Sequence, residues 1–255
     1  MVYTSYEMIR DCRVNKSDGW SYFISEYLPV VRKLLAHYSP ESSAESMLAT
    51  LCKPESSLFQ SLDPAPERWF VAELRQKVLA ELPLRIPVVQ IDLDAVASAL
   101  DPLTVLEKQV AWLDSMLYGT AETGVMLRMT AGTAEKIRAR ALEMIRSQGN
   151  AWRPSLLSDN GLALGRTATA ASGKDCLPMK AFIDILDGRT TWDAREQMER
   201  HVTACWHCID HFCRMVEVTH LMRGLQPLAD AEAEPYRKML GLTSQQPAWK
   251  RLFGR

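Results

Sequence analysis

Apolar residues recur every three or four positions along most of this chain, which is the spacing of one face of an α-helix. The stretches Trp20–Tyr38 and Pro66–Leu82 keep this spacing over several turns. The alternation expected of a β-strand is nearly absent, and its best candidate, Ile86–Asp92, contains Pro87, which cannot donate to a sheet. The pattern therefore predicts an all-α protein.

Prolines and glycines divide the helical pattern into segments. Prolines interrupt the stretch after residue 82, and a later stretch combines glycines and other small residues with few charges. We therefore predict three helical segments separated by a connector and a linker, followed by a C-terminal tail. The end of this tail, with Trp249, Leu252 and Phe253, can be a short docking helix, but we expect it to fray. The predicted boundaries are 1–82, 83–102 (connector), 103–147, 148–174 (linker), 175–225 and 226–255 (tail).

The composition is typical of a soluble globular protein, since 47% of the 255 residues are hydrophobic and 24% are charged. The formal net charge of −1 gives no general attraction to nucleic acid or to anionic membranes, so any such binding needs a local basic patch. No apolar run is long enough to span a membrane, and the N-terminus lacks the apolar core of a signal peptide. We expect a cytoplasmic protein that binds no membrane.

The segment Val105–Arg146 divides into three helical pieces, and a short turn around Met129–Gly132 joins the last two. We expect Thr133 to open the third piece. Two helices joined by a short turn, with basic residues on the second, are the elements of a DNA-reading helix-turn-helix. The candidate DNA contacts are Thr133, Lys136, Arg138 and Arg140. Glu135 lies among these basic residues and would repel phosphate. The basic residues can equally form the solvated face of a packed helix.

This segment resembles region 4 of extracytoplasmic-function sigma factors, in a run that reads GTAETGVMLRMTAGTAEKIRARALEMIR. The matching positions are Gly119, Leu127, Gly132, Thr133, Arg140, Ala141 and Arg146. The first segment is similar to region 2 of the same family, through DGWSYFISEYLPVVRKLL and PERWFVAELRQKVLAEL, although SPESSAESMLATLC replaces the acidic stretch that grips RNA polymerase. The resemblance implies the RNA polymerase core and promoter DNA as partners.

Metal-type ligands cluster toward the C-terminal end of the chain. His201, Cys205 and Cys208 are i, i+4 and i+7, and share one stripe if they lie on a single helix. No Gly or Pro occurs from Asp193 to Arg223, which predicts such an uninterrupted helix. The fourth ligand is expected from Cys176, at the head of a separate helical pattern that a hairpin brings opposite the stripe. The sequence therefore predicts a closed Cys₃His site for one structural Zn²⁺.

Other interpretations of this cluster stay open. The four residues can be an unmetallated part of the core. A catalytic zinc site would need an open coordination position and a general base, so we expect no enzymatic activity. His207 and His211 point to another face of the predicted helix and are expected on the surface or in packing contacts. The zinc-bound thiolates can be redox-sensitive, with Cys176 pairing with Cys205 or Cys208 if the zinc leaves.

The same stretch resembles the zinc-binding anti-sigma domain family, whose pattern continues through DILDGRTTWDAREQMERHVTAC to the last cysteine. The matching positions are Leu186, Asp187, Gly188, Glu196, Glu199, His201, Cys205 and Cys208. The resemblance implies a helical bundle that clamps a sigma factor and that, in some members, releases zinc on oxidation.

The two resemblances together predict a zinc-binding transcription regulator. In it, sigma-factor-like helical domains are fused to an anti-sigma-type zinc domain, which contacts them and controls access to RNA polymerase or promoter DNA. Another sigma or anti-sigma regulator is a further expected partner. The alternative is a sigma mimic or anti-sigma scaffold that acts by protein–protein interaction and does not bind DNA.

Overall fold

The computed structural model describes residues 3–53, 59–60, 66–82, 98, 100–147, 165, 168 and 170–242. Every regular element within these ranges is helical and none is a strand, which confirms the predicted all-α class. No helix in the described part of the chain has the length and apolar character needed to cross a membrane. The strand candidate Ile86–Asp92, most of the connector and linker, and the end of the tail lie outside the described residues.

The chain divides into two compact units, Met1–Glu81 with Gly224–Arg255, and Leu82–Arg223. The first unit contains α1 (Ser5–Arg13), α2 (Ser17–Tyr38), α3 (Ala44–Leu51), α4 (Glu67–Glu81) and α11 (Asp230–Met239). The second unit contains α5 (Val105–Ser115), α6 (Thr120–Leu127), α7 (Ala131–Ser147), α8 (Met179–Leu186), α9 (Trp192–Ala204) and α10 (Trp206–Met222). The predicted helix-turn-helix and the predicted metal ligands therefore lie in the same compact unit.

Helix α2 forms the centre of the first unit, where it contacts α1, α3, α4 and α11. Its buried side chains include Phe23, which packs edge-to-face against Phe70 of α4. Gly19 permits the close approach of α1, because a Cβ at this position would lie only 2.7 Å from the backbone nitrogen of Cys12. The first unit thus has its own apolar core around one long helix.

Part of the predicted tail, residues 230–239, is helical, whereas the end of the tail around Trp249 lies outside the described residues. Residues 230–239 form α11, with Glu232 accepting a hydrogen bond from the N–H of Ala229 at the helix start. Tyr236 is buried, and the N–H of Leu228 donates to the carbonyl of Ser25 on α2 over 2.8 Å. The sequence carries the helix signal, with acidic residues in the first turn and Arg237 in the last.

Helix α10 forms the centre of the second unit and contacts α5, α6, α8 and α9. Its buried residues occupy every side of the helix and include Cys208, Phe212, Met215 and Val218. A helix that is buried on all sides is a core helix rather than an amphipathic surface helix. Helices α5, α6, α8 and α9 are therefore assembled around α10, and α7 packs on α5 and α6.

A three-residue turn, Arg128 to Thr130, joins α6 to α7. Arg128 adopts the left-handed conformation (φ 58°, ψ 44°), and a Cβ on Gly124 would lie 2.9 Å from the carbonyl oxygen of Met129. Helix α7 begins at Ala131 and not at the expected Thr133, because the hydroxyl of Thr130 accepts a hydrogen bond from the N–H of Thr133 and so caps the helix. The arrangement is a compact helix-turn-helix packed on α5.

Candidate metal centre

Four potential metal ligands converge in the second unit. Cys176 precedes α8, His201 lies in the last turn of α9, Cys205 separates α9 from α10, and Cys208 lies in the first turn of α10. The sulfur and ring-nitrogen atoms of these four residues all lie within 4.8 Å of one another. The structure therefore brings together the four residues that the sequence selects, and the cluster could hold a metal ion.

The uninterrupted helix predicted from Asp193 to Arg223 is wrong. Helix α9 ends at Ala204, and Cys205 has an extended backbone (φ −123°, ψ 114°) before α10 starts at Trp206. The reason is geometric, since a straight helix rises 1.5 Å per residue and separates positions i and i+7 by roughly 10 Å along its axis. The break at Cys205 folds the chain so that His201 and Cys208 come within reach of each other.

The separation of two ligand sulfurs fits a tetrahedral ion, whereas the imidazole nitrogen lies closer to its neighbouring sulfur than the roughly 3.6 Å of such a shell. Two sulfurs bound to one zinc at about 2.3 Å lie roughly 3.8 Å apart. The Sγ atoms of Cys176 and Cys205 are 3.7 Å apart, and Nε2 of His201 lies 3.0 Å from Sγ of Cys208. None of the cysteines is in a disulfide, so all three thiols are available as ligands. Three soft sulfurs and one imidazole are a donor set that suits zinc.

Backbone N–H groups point at two of the sulfurs. The N–H of Gly173 donates to Cys176 Sγ over 3.2 Å, and the N–H of Leu177 donates to Cys208 Sγ over 3.4 Å. Such donors stabilise thiolates and orient them for a metal. The short segment around Cys176 thus supplies one ligand and also supports another from α10.

The pKa values of two of these thiols depart from the ordinary value in opposite directions. Burial raises the pKa of Cys176, but the Gly173 N–H and hydrogen bonds with the Cys205 and Cys208 thiols lower it more, leaving it below its usual value. Burial raises the pKa of the Cys208 thiol, against the opposing effect of the Leu177 N–H. A divalent ion would replace the protons on these thiols, because cysteine ligates metals as the thiolate.

Helix α5 contacts the chain beside the ligands. The ammonium group of Lys108 donates to the carbonyl of Thr203 over 2.9 Å, and burial lowers the pKa of this lysine. The indole rings of Trp112 and Trp206 lie against each other with centroids 5.5 Å apart. Lys108, Thr203, Cys205 and Trp206 also line a small cavity of about 60 Å³. The ligand that separates α9 from α10 therefore faces α5.

Buried polar groups join α10 to α5 and to Tyr118, which follows α5. The indole N–H of Trp112 donates to Asp210 over 3.1 Å, Arg214 forms an ion pair with the same carboxylate, and Tyr118 donates to Glu217 over 2.6 Å. Asp210, Arg214 and Glu217 are each at most 2% exposed. We did not select these residues from the sequence, although their i, i+4, i+7 spacing in an apolar stretch signals a buried polar stripe.

The four candidate DNA contacts have different surroundings. Thr133 and Lys136 are exposed on the N-terminal half of α7. Arg138 instead pairs with Asp114 (Nε–Oδ1 2.6 Å), and Arg140 pairs with Glu107 (Nε–Oε1 3.0 Å), both on α5. Two of the four side chains thus bind the supporting helix, although Arg140 keeps 70% of its side chain exposed.

Glu107, the partner of Arg140, holds α5 and α7 together electrostatically. It is buried and also accepts hydrogen bonds from the backbone N–H and the hydroxyl of Thr104. Burial raises the pKa of Glu107, but the Thr104 donors and the charge of Arg140 lower it more, so the carboxyl stays ionised. Because the folded-state pKa is lowered, this contribution to stability is present above the unfolded pKa and is lost as the pH falls.

Two histidines of α10, His207 and His211, belong to the packing. His207 is buried, with Nδ1 3.2 Å from the carbonyl oxygen of Ala168. Its ring lies 4.5 Å from the ring of His211, which stacks on Phe182 of α8. Neither histidine belongs to the ligand cluster found among the described residues.

Comparisons with protein-family models, with curated proteins and with solved structures give no match for this chain.

Proposed function

We propose that this chain is a zinc-binding transcription regulator, in which a structural Zn²⁺ on Cys176, His201, Cys205 and Cys208 stabilises a helix-turn-helix unit. The observation that carries the proposal is the convergence of these four ligands beside α5, in the same compact unit as α6 and α7. Three thiolates and an imidazole complete a tetrahedral shell, which is typical of structural rather than catalytic zinc.

The metal would act as a cross-link. It would join the segment before α8, the end of α9 and the start of α10, and α10 is the helix on which α5 and α6 pack. The resemblance to sigma-factor region 4 and to anti-sigma zinc domains supports a role in transcription, with RNA polymerase core, promoter DNA or another sigma or anti-sigma regulator as partner. In this proposal the zinc bundle supports the helix-turn-helix from the α5 and α6 side.

The N-terminal half of α7 is the part of the unit that would meet DNA. Helix-turn-helix proteins place the N-terminal residues of the second helix against the base edges. Thr133 and Lys136 are exposed there, and Arg128 is exposed in the preceding turn. These three side chains are the DNA contacts that we propose for this end of the helix.

Zinc content tests the metal part of the proposal. We expect about one zinc per chain in the purified protein, and we expect Cys205→Ser to lose it, because the serine hydroxyl is a poor substitute for a thiolate. Cys213→Ala is the matched control, since Cys213 is a buried cysteine of α10 that lies outside the ligand cluster. Zinc retained by Cys205→Ser, or lost equally by Cys213→Ala, would contradict the site.

DNA binding tests the second part, with fluorescence anisotropy of a labelled duplex at several salt concentrations. We expect Lys136→Ala to weaken binding and to reduce the slope of log K against log[salt] by about one, as for a lysine that contacts one phosphate. Lys180→Ala on α8 is the control, because Lys180 is also an exposed lysine of this unit. An unchanged slope in Lys136→Ala would remove α7 from the DNA interface.

A specific observation favours a second candidate function, a scaffold that binds proteins and not DNA. Arg138 and Arg140 pair with acidic residues of α5, and Glu135 and Glu143 are exposed on α7. The exposed face of α7 is therefore of mixed charge. The scaffold would bind purified RNA polymerase core or a purified sigma factor while showing no salt-dependent affinity for duplex DNA.

A further inference from the structure

We propose that Lys108 of α5 is a positioning residue for the metal centre. Its ammonium group binds the carbonyl of Thr203 near the end of α9. This contact stabilises the interruption between α9 and α10 that brings the Cys205 thiol to the other ligands. This inference rests on the proposed zinc site, and it adds to that site a residue from the helix-turn-helix segment.

The contact lies at the point where the helix stops. The last carbonyl groups of an α-helix have no partner within the helix, and the negative end of the helix dipole favours a cation there. Thr203 is the second-last residue of α9, and its carbonyl oxygen lies 2.9 Å from Nζ of Lys108. A cation in this position stabilises a helix that ends at Ala204 rather than one that continues through Cys205.

The burial of Lys108 indicates a specific role. The residue is only 3% exposed, and lysines are almost never fully buried unless they are paired. The charge of Asp101, which lines the same cavity, also favours the ammonium form of Lys108. A Zn²⁺ with three thiolates and a neutral imidazole carries a net charge of −1, and Cys205 lines the same small cavity as Lys108. The loaded centre would therefore attract the ammonium group and offset part of its desolvation.

The position of Lys108 on α5 gives this contact a further consequence. Trp112, one turn along the same helix, donates to Asp210 of α10 and packs against Trp206. Metal binding that orders Cys205 would thus favour the docked position of α5, and a docked α5 would favour metal binding. Such coupling is reciprocal by thermodynamic necessity.

The test compares zinc dissociation constants of Lys108→Met, Lys108→Arg and the wild type, by competition with a chromophoric chelator at fixed pH. Lys108→Met keeps most of the apolar stem and removes the charge. We expect about tenfold weaker zinc binding, since changing a residue that supports a ligand typically costs 10–100-fold in affinity. Lys108→Arg keeps the cation and is expected to recover most of the affinity.

Ser115→Ala controls for a general weakening of α5. Ser115 is buried and its hydroxyl donates to the carbonyl of Trp112 within the same helix, so the variant loses a hydrogen bond of α5 without touching α9. We expect Ser115→Ala to leave the rate of zinc release from the folded, zinc-loaded protein unchanged, as followed with an excess of chelator. Lys108→Met should instead release zinc faster, because the Cys205 thiolate is held less firmly.

The outcomes separate the two proposals. A wild-type protein that binds no zinc would refute the metal centre itself. A wild type that binds zinc, with Lys108→Met binding it equally tightly, would overturn the role of Lys108 and leave the centre intact. If Lys108→Met does not fold, Lys108→Gln takes its place, and a zinc affinity equal to that of the wild type overturns the proposal in the same way.

Discussion

Chelation of the metal is expected to unfold the second unit, including the helix-turn-helix, while helices α1 to α4 keep their structure. Structural zinc contributes an apparent binding free energy of about 10–16 kcal/mol in zinc-finger peptides at neutral pH. A typical domain is stable by only about 5–15 kcal/mol. The metal term is therefore as large as the whole stability of the unit. The ligands lie before α8, at the end of α9 and at the start of α10. Loss of the metal therefore destabilises α10, the helix on which α5 and α6 pack.

Amide hydrogen exchange resolved by peptide is the measurement for this prediction. After removal of zinc, we expect fast exchange in α5 and α10 and unchanged protection in α2, which has its own core in the first unit. Zinc added back should restore protection. The variant Cys205→Ser should show the fast exchange from the start and respond little to the chelator. Full protection of α10 in metal-free wild type would show that the four ligands are core residues without a metal.

Replacing Asp210 with alanine is expected to lower the free energy of unfolding of the second unit by about 3–5 kcal/mol, which is the usual cost of removing one partner of a buried ion pair. The carboxylate accepts hydrogen bonds from both Trp112 and Arg214, and the side chains of Asp210 and Arg214 are only 2% and 3% exposed. The substitution therefore leaves a buried guanidinium without this partner. Urea unfolding of the zinc-loaded protein measures the change.

Asp184→Ala provides the matched control. Asp184 is an aspartate of the same unit that pairs with Lys180 and Arg189, but it is 27% exposed and its partners are largely solvated. Its loss should cost no more than about 1 kcal/mol, as is typical of surface ion pairs. Combining Asp210→Ala with Trp112→Phe should cost less than the sum of the two single changes, because both remove the same hydrogen bond. Equal effects of the two aspartate variants would show that the buried network does not hold α10 in place.

These contacts bear on how the proposed regulator would work. The polar groups of α10 bind side chains of α5 and of the residues just after it, while the exposed residues Thr133 and Lys136 lie on α7. A metal-dependent α10 would therefore act on the proposed contacts through the scaffold that positions α7. In this arrangement, zinc occupancy would set the fraction of molecules with a formed helix-turn-helix.

Local sequence patterns predicted most of the helices and the four candidate metal ligands. The spacing of apolar residues identified helices that the structure contains, because that spacing records which face of each helix is buried. The ligands were recognisable because cysteine and histidine in close sequence spacing are chemically distinctive. The same local reasoning failed at Cys205, where the propensities of residues 193–223 favour one helix and the need for four atoms to meet at one point breaks it in two.

The sequence by itself determined the all-α class, the position of the helix-turn-helix and the identity of the four residues that converge. Only the tertiary structure decided that Lys108 and Trp112 lie beside those residues, that Arg138 and Arg140 bind α5, and that α11 packs on α2. The physical reason is the separation along the chain of the residues that interact. Helix formation and ligand spacing depend on neighbours within a few residues, whereas the partner of Lys108 is 95 residues away and is selected by the packing of the whole unit.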